Sequence, residues 1–139
     1  MGTSNETMTP LGVDVAYRQT ISPDYLTSSF TADDADDHIF KVNGRGKGRM
    51  TVCVDNPANQ SLTVTVYGMH SVTGAIAGTG VVELGEVAND SQFTVANAAI
   101  GYETYNDPFP FYLIKVTYAG APTDTPKKTC TVYINFQGQ

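Results

Sequence analysis

Apolar residues recur along this chain with a period of two over short stretches, and no segment carries a convincing helical period. Leu11, Val13, Val15 and Tyr17 alternate with small and polar residues, as a half-buried strand requires when successive side chains point to opposite faces. Residues 23–37 read as a loop. Residues 38–42 form a short strand, and Asn43-Gly44 opens a turn through Arg45-Gly46-Lys47-Gly48 that pairs it as a hairpin with residues 49–55. Met50, Val52 and Val54 share one face of that second strand. Asn56-Pro57-Ala58-Asn59-Gln60 then leads to Leu62, Val64 and Val66, where the hairpin signal is strongest. After Gly68 the pattern weakens into a long loop or irregular edge through Gly80. Val82, Leu84 and Val87 suggest a strand, Asn89-Asp90-Ser91 a turn, and Phe93 with Val95 a further strand. Residues 97–107 are ambiguous. Residues 111–118 alternate clearly, and residues 129–136 alternate again after the Pro-rich loop 121–128.

Seven to eight short strands joined by Gly, Pro and Asn turns predict an all-β fold, a β-sandwich with jelly-roll or Greek-key connectivity, because each sheet must hide its apolar face against another. The 139 residues suit one domain, expected over 11–139, preceded by a polar, aperiodic segment 1–10 that reads as a flexible arm able to order against a partner.

Cys53 and Cys130 lie on opposite phases of their strands. Cys130 alternates with Val132, Ile134 and Phe136, whereas Cys53 is out of step with Met50, Val52 and Val54, so two free thiols are expected. No CxxC pair is present, and His38 and His70 are the two histidines, which argues against a structural zinc site; no cofactor is expected.

The net charge of −6 argues against a general nucleic-acid binder. No run of apolar residues is long enough to span a bilayer as a helix, and residues 1–6 show no export signal, so no membrane partner is expected. No catalytic residue is nominated. No serine sits in Gly-x-Ser-x-Gly, neither histidine has a flanking signature, and nothing selects an acid pair among the 14 carboxylates.

The run Asp33, Asp34, Asp36, Asp37 lacks EF-hand spacing and reads as a solvated loop, with a hard cation as the alternative. Lys41, Arg45, Lys47 and Arg49 follow it, half of the eight basic residues within nine positions. Gly44 to Gly48 leads into a strand rather than a helix, against a phosphate loop; the segment is either a soluble tip or an electrostatic docking site, with Arg45, Lys47 and Arg49 as contacts. Aromatics cluster at Tyr102, Tyr105, Phe109, Phe111, Tyr112, Tyr118 and Tyr133. Phe111 and Phe136 read as core. Tyr105 and Phe109, beside Asn106-Asp107-Pro108, are either core or exposed anchors for a protein or a sugar ring.

Val52-Cys-Val-Asp-Asn-Pro57, Leu62-Thr-Val-Thr-Val-Tyr-Gly68, Pro108-Phe-Pro-Phe-Tyr-Leu113, Ala121-Pro-Thr123 and Thr131-Val-Tyr-Ile134 together resemble small β-sandwich proteins that accompany the head and structural genes of tailed phages. The resemblance spans Val52 to Phe136, roughly the C-terminal two-thirds. It implies a non-enzymatic virion component such as a capsid decoration (cement) protein, made in the host cytoplasm and held on the capsid surface by the major capsid protein or other virion subunits. It further implies a homo-oligomer, with a trimer favoured, and places contacts in the arm 1–16 and the basic tip 44–49. A carbohydrate-binding module using Tyr102, Tyr105 and Phe109 is the alternative.

Overall fold

The computed structural model describes residues 3–7, 9–10, 25–44, 46–69, 81–83, 92–106 and 108–137, and every regular element among them is a strand. The order is β1 (Thr3–Thr7), β2 (Thr9–Pro10), β3 (Tyr25–Ala32), β4 (Asp37–Asn43), β5 (Arg49–Asn56), β6 (Leu62–Met69), β7 (Val81–Glu83), β8 (Gln92–Val95), β9 (Ala99–Tyr105), β10 (Phe111–Tyr118) and β11 (Lys128–Gln137). One sheet runs β1-β4-β10-β6-β7, with β8 also on β6; the other runs β2-β3-β11-β5-β9. All pairings are antiparallel except β1 with β4. The two sheets form the expected sandwich. Seven long strands and β8 account for the predicted seven to eight, and β1, β2 and β7 are short additions at the edges.

Alternation decides which residues meet between the sheets. Met50, Val52 and Val54 of β5 and Cys130, Val132, Ile134 and Phe136 of β11 face Phe40 and Val42 of β4, Val64 and Val66 of β6, and Tyr112, Ile114 and Val116 of β10. Nearly all are fully buried, and burial of such side chains is worth about 1.5–3 kcal/mol each. A second apolar cluster of Ile39, Tyr67, Met69 and Leu113, with Phe111 against it, lies on the other face of the six-stranded sheet, out of phase with the main core.

Several sequence expectations are corrected. The turns after β4 and after β5 do not close hairpins: β4 pairs β10 and β1, β5 pairs β11 and β9, and both turns carry the chain across to the opposite sheet. Tight turns and sheet-to-sheet crossings use the same Gly, Asn and Pro chemistry, so local composition does not separate them. Residues 25–32, assigned to a loop, form β3; Ser28 interrupts the inward series Leu26, Phe30, Ala32 and hides its period. Residues 99–105 form β9. Thr3–Thr7, read within an arm, pairs in parallel with Asp37–Lys41. The strand expected at Leu11–Tyr17, the turn at Asn89-Asp90-Ser91 and the segment 70–80 lie outside the described residues.

One end of the sandwich is tied together by Asn56, which is completely buried. Its Nδ2 donates to the carbonyls of Gln60 (2.9 Å) and Ala96 (3.0 Å), and its Oδ1 accepts from the Ala58 amide (3.2 Å) and the Tyr118 hydroxyl (2.8 Å). Two donors and two acceptor sites are all the hydrogen-bonding capacity a carboxamide has. Beside it Asn59 clasps the 120s loop: its amide N–H donates to Asp124 and its side chain exchanges bonds with Thr123 Oγ1 and the Thr123 amide.

Both cysteines are free, Cys130 buried in the core and Cys53 half-buried on the outer side of its sheet, as their opposite phases required. Burial pushes the Cys130 thiol up to about 11, with its hydrogen bond to Tyr118 lowering it and the Asp55 carboxylate raising it.

Three outcomes are expected from these contacts. Asn56→Ala strands the Ala58 N–H, the Tyr118 hydroxyl and two carbonyls at a dry site, and is expected to lower stability by about 3 kcal/mol or more, read from the urea midpoint. The unfolded Cys130 thiol ionises near 9.0 while the folded one waits until about 11, so its contribution is complete below pH 9 and is lost as the pH rises toward 11. The wild type should therefore lose up to about 2–3 kcal/mol more than Cys130→Ala between those limits. In native protein a maleimide should label Cys53 alone, with Cys130 reacting only after unfolding.

Candidate partner-binding face

The outer face of the five-stranded sheet is made by the residues that alternate with its core. Register places them in three lateral rows running β3, β11, β5, β9: Tyr25, Asn135, Thr51, Thr104; then Thr27, Tyr133, Cys53, Tyr102; then Ser29, Thr131, Asp55, Ile100. These rows hold one charged residue, Asp55. Hydroxyls pair across strands, Ser29 with Thr131 and Thr51 with Thr104, each at 3.0 Å, which fixes rotamers and leaves the surface flat and hydroxyl-rich.

Aromatic rings cross this platform. Tyr25 and Tyr133 lie with centroids 6.2 Å apart and planes inclined by 17°, beside a shallow hollow of about 330 Å³ lined by Tyr25, Thr51, Cys53, Tyr133 and Asn135. Partial burial pushes the Tyr25 hydroxyl up, helped by Tyr133 and Cys53; it pushes Cys53 up as well, with Asp55 adding to the effect. The Cys53 thiol is thus favoured over its thiolate. On the outermost strand Ile100 and Tyr102 are 68% and 69% exposed.

The residues singled out in the sequence fall in different places. Tyr105 is 3% exposed and belongs to the core, one alternation out of phase with Tyr102, which corrects its reading as a surface anchor. Phe109 is partly buried. Its ring lies against the backbone of Gly68, edge-on to Tyr112 at 6.3 Å and 69°, and its amide donates to the Tyr112 hydroxyl at 3.0 Å. A Cβ at Gly44 would strike the Phe109 carbonyl, and the Gly44 amide donates to Pro110 at 2.8 Å. The Pro-Phe-Pro-Phe segment is therefore seated on two glycines, closing that end of the sandwich.

Arg45 lies outside the described residues. Lys47 is half-buried and donates its backbone N–H to Gly44 at 3.1 Å, beside Gly46 at φ 70°, while Arg49 Nε donates to Asn106 Oδ1 at 3.1 Å on the surface. Tyr105 and Phe109 thus share the 105–110 end of the fold with Arg49 and Lys47 without forming one exposed patch. In the acidic run, Asp34 Oδ1 accepts from the Asp36 amide at 3.0 Å and lies 3.6 Å from His38 Nε2, whose ring stacks on Phe30 at 3.9 Å. Asp37 accepts from Thr117 Oγ1 at 2.6 Å. These contacts turn the Asp34 and Asp37 carboxylates toward their own loop and a neighbouring strand. Tyr102 was singled out in the sequence, but its place in one row with Cys53 and Tyr133 was not, although the odd phase of Cys53 marks the same face.

No family model matches this chain, and no curated protein matches it by sequence. Solved structures do share its architecture. The phage PBSX exported protein XepA superposes with a TM-score of 0.59 over 81% of this chain at 6% identity; the chain spans 36% of XepA's length. CorA, a surface-associated copper-binding protein of Methylomicrobium album BG8, gives 0.51 over 98% of this chain and 100% of its own at 10% identity. The pre-peptidase C-terminal domain of a Bacillus anthracis collagenase gives 0.50 over 96% and 95%, also at 10% identity. At such identities the likeness establishes the β-sandwich fold and nothing finer.

Proposed function

We propose that this chain is a non-catalytic structural protein of a virus particle, a decoration protein that sits on a phage capsid and holds neighbouring subunits. The observation that carries this reading is the outer face of the five-stranded sheet: a flat, hydroxyl-rich platform with one charge in its three central rows and with Ile100 and Tyr102 standing out at its edge. Flat faces with exposed aromatic anchors hold partners.

Two further features agree with it. The strand orders β3-β11-β5-β9 and β4-β10-β6-β8 are those of a jelly roll, an architecture used by viral capsid and lectin domains. The stretch from Val52 to Phe136 resembles phage sandwich proteins, and both thiols remain free, as suits a protein made in a reducing cytoplasm. The N-terminal segment and the basic residues Lys47 and Arg49 supply additional contacts to the shell.

The direct test is mass spectrometry of density-banded particles from the source that encodes the chain. It is expected at a stoichiometry comparable to the shell subunit; particles free of it would overturn the proposal. Deleting residues 1–10 should weaken rebinding to stripped particles, and unchanged affinity would remove that segment from the mechanism.

A glycan-binding reading draws on the hollow beside Tyr25 and Tyr133, where stacked rings adjoin Thr51 and Asn135. It requires calorimetric binding of a neutral polysaccharide that Tyr133→Ala abolishes.

A further inference from the structure

Every open sheet has edges whose unpaired N–H and C=O groups can template another strand, and proteins blunt them with short strands, charges, prolines or bulges. The edges of this sandwich are not treated alike. In the five-stranded sheet one edge is β2, two residues long and ending in Pro10. In the other sheet the edges are β1, with Glu6 within it, and the short strands β7 and β8 of three and four residues.

The remaining edge among the described residues, β9, carries one charge, Glu103, but is neither short nor interrupted by a proline or a bulge. It is seven residues long, contains no Lys, Arg or Pro, and keeps an unbroken one-to-one register with β5 from Ala99 opposite Asn56 to Tyr105 opposite Met50. It also bears Ile100 and Tyr102, the exposed large apolar side chains among the described residues, both on the same face of the sheet.

We infer that β9 is the seat of a two-fold pairing between two copies of this chain, joining their five-stranded sheets edge to edge in antiparallel register. The strand is self-complementary about its central residue. With the axis at Tyr102, that ring meets its own counterpart, Ile100 stands opposite Thr104 of the second copy, and on the other face Gly101 stands opposite Glu103. Aromatic and β-branched pairs are favourable cross-strand neighbours, and Glu103, the only charge on β9, faces a glycine in place of a like charge. An isologous contact of this kind closes on itself as a dimer, in place of the expected trimer. A seven-residue edge spans about 20 Å, enough for a continuous ladder. The inference goes beyond the viral reading and does not depend on it.

Sedimentation equilibrium of the full chain, from micromolar to millimolar concentration, provides the test. The wild type should dimerise, and Tyr102→Lys, which sets two cations face to face at the axis, should move association to at least about tenfold higher concentration without altering the fold. In a Cys53→Ser background, used because Cys53 neighbours Tyr102 on β5, Tyr102→Cys should oxidise to a covalent dimer and Thr104→Cys should not. A chain monomeric throughout, a dimer indifferent to Tyr102→Lys, or equal cross-linking at both positions would overturn the inference. So would a monomer whose residues 99–105 gain amide-exchange protection only on purified particles, since a strand of another protein would then hold the edge. Self-association reads this inference and presence in particles reads the proposed function, so each can fail while the other stands.

Discussion

The buried carboxamide of Asn56 is the contact on which the geometry of the sandwich turns. Apolar contacts between the sheets are non-directional and tolerate sliding; the four hydrogen bonds of this side chain do not. They join the end of β5 in one sheet to Tyr118 at the end of β10 in the other, and they fix the crossover 56–60 and the turn at Ala96 around the same point. The neighbouring turn follows from it: Ala98 takes a φ of 54° while its amide donates to Ala58 at 3.0 Å. That turn delivers the chain from β8 in one sheet to β9 in the other, so the placement of the exposed edge depends on the buried amide beside its first residue.

The two sheets present unlike outer surfaces. On the six-stranded sheet the outward positions Ile39, Leu113, Tyr67 and Met69 are buried in their own apolar cluster. On the five-stranded sheet the equivalent positions are hydroxyls, an amide and tyrosine rings, ending at Ile100 and Tyr102. A surface with fixed hydroxyls and few charges loses little in desolvation and little side-chain entropy on contact, which is the physical basis of the proposal that a partner docks there.

How much of this was legible in the sequence depends on where each strand puts its apolar residues. β5, β6, β10 and β11 were readable because their inward positions form an unbroken alternating series of apolar residues. β9 was not: its prominent residues, Ile100 and Tyr102, point outward, while Gly101 and Glu103 occupy the inward phase, inverting the usual signal. The same inversion misplaced Tyr105, whose burial is fixed by a register no local pattern reveals. Cysteine phase was legible because both residues sit in strands of clear parity. The seating of Phe109 on Gly44 and Gly68 is a contact between distant segments, and only those glycines, small where a β-former would be expected, hinted at it.

The middle strand of the five-stranded sheet, β11, is synthesised after both its neighbours, β3 and β5, and β10 likewise enters between β4 and β6, which precede it. A growing chain therefore holds two halves of each sheet with a gap at the centre, unable to join them until the last quarter of the sequence emerges. Such a topology ties assembly of the whole sandwich to one late, long-range event, and favours all-or-none folding over stepwise growth from the N-terminus.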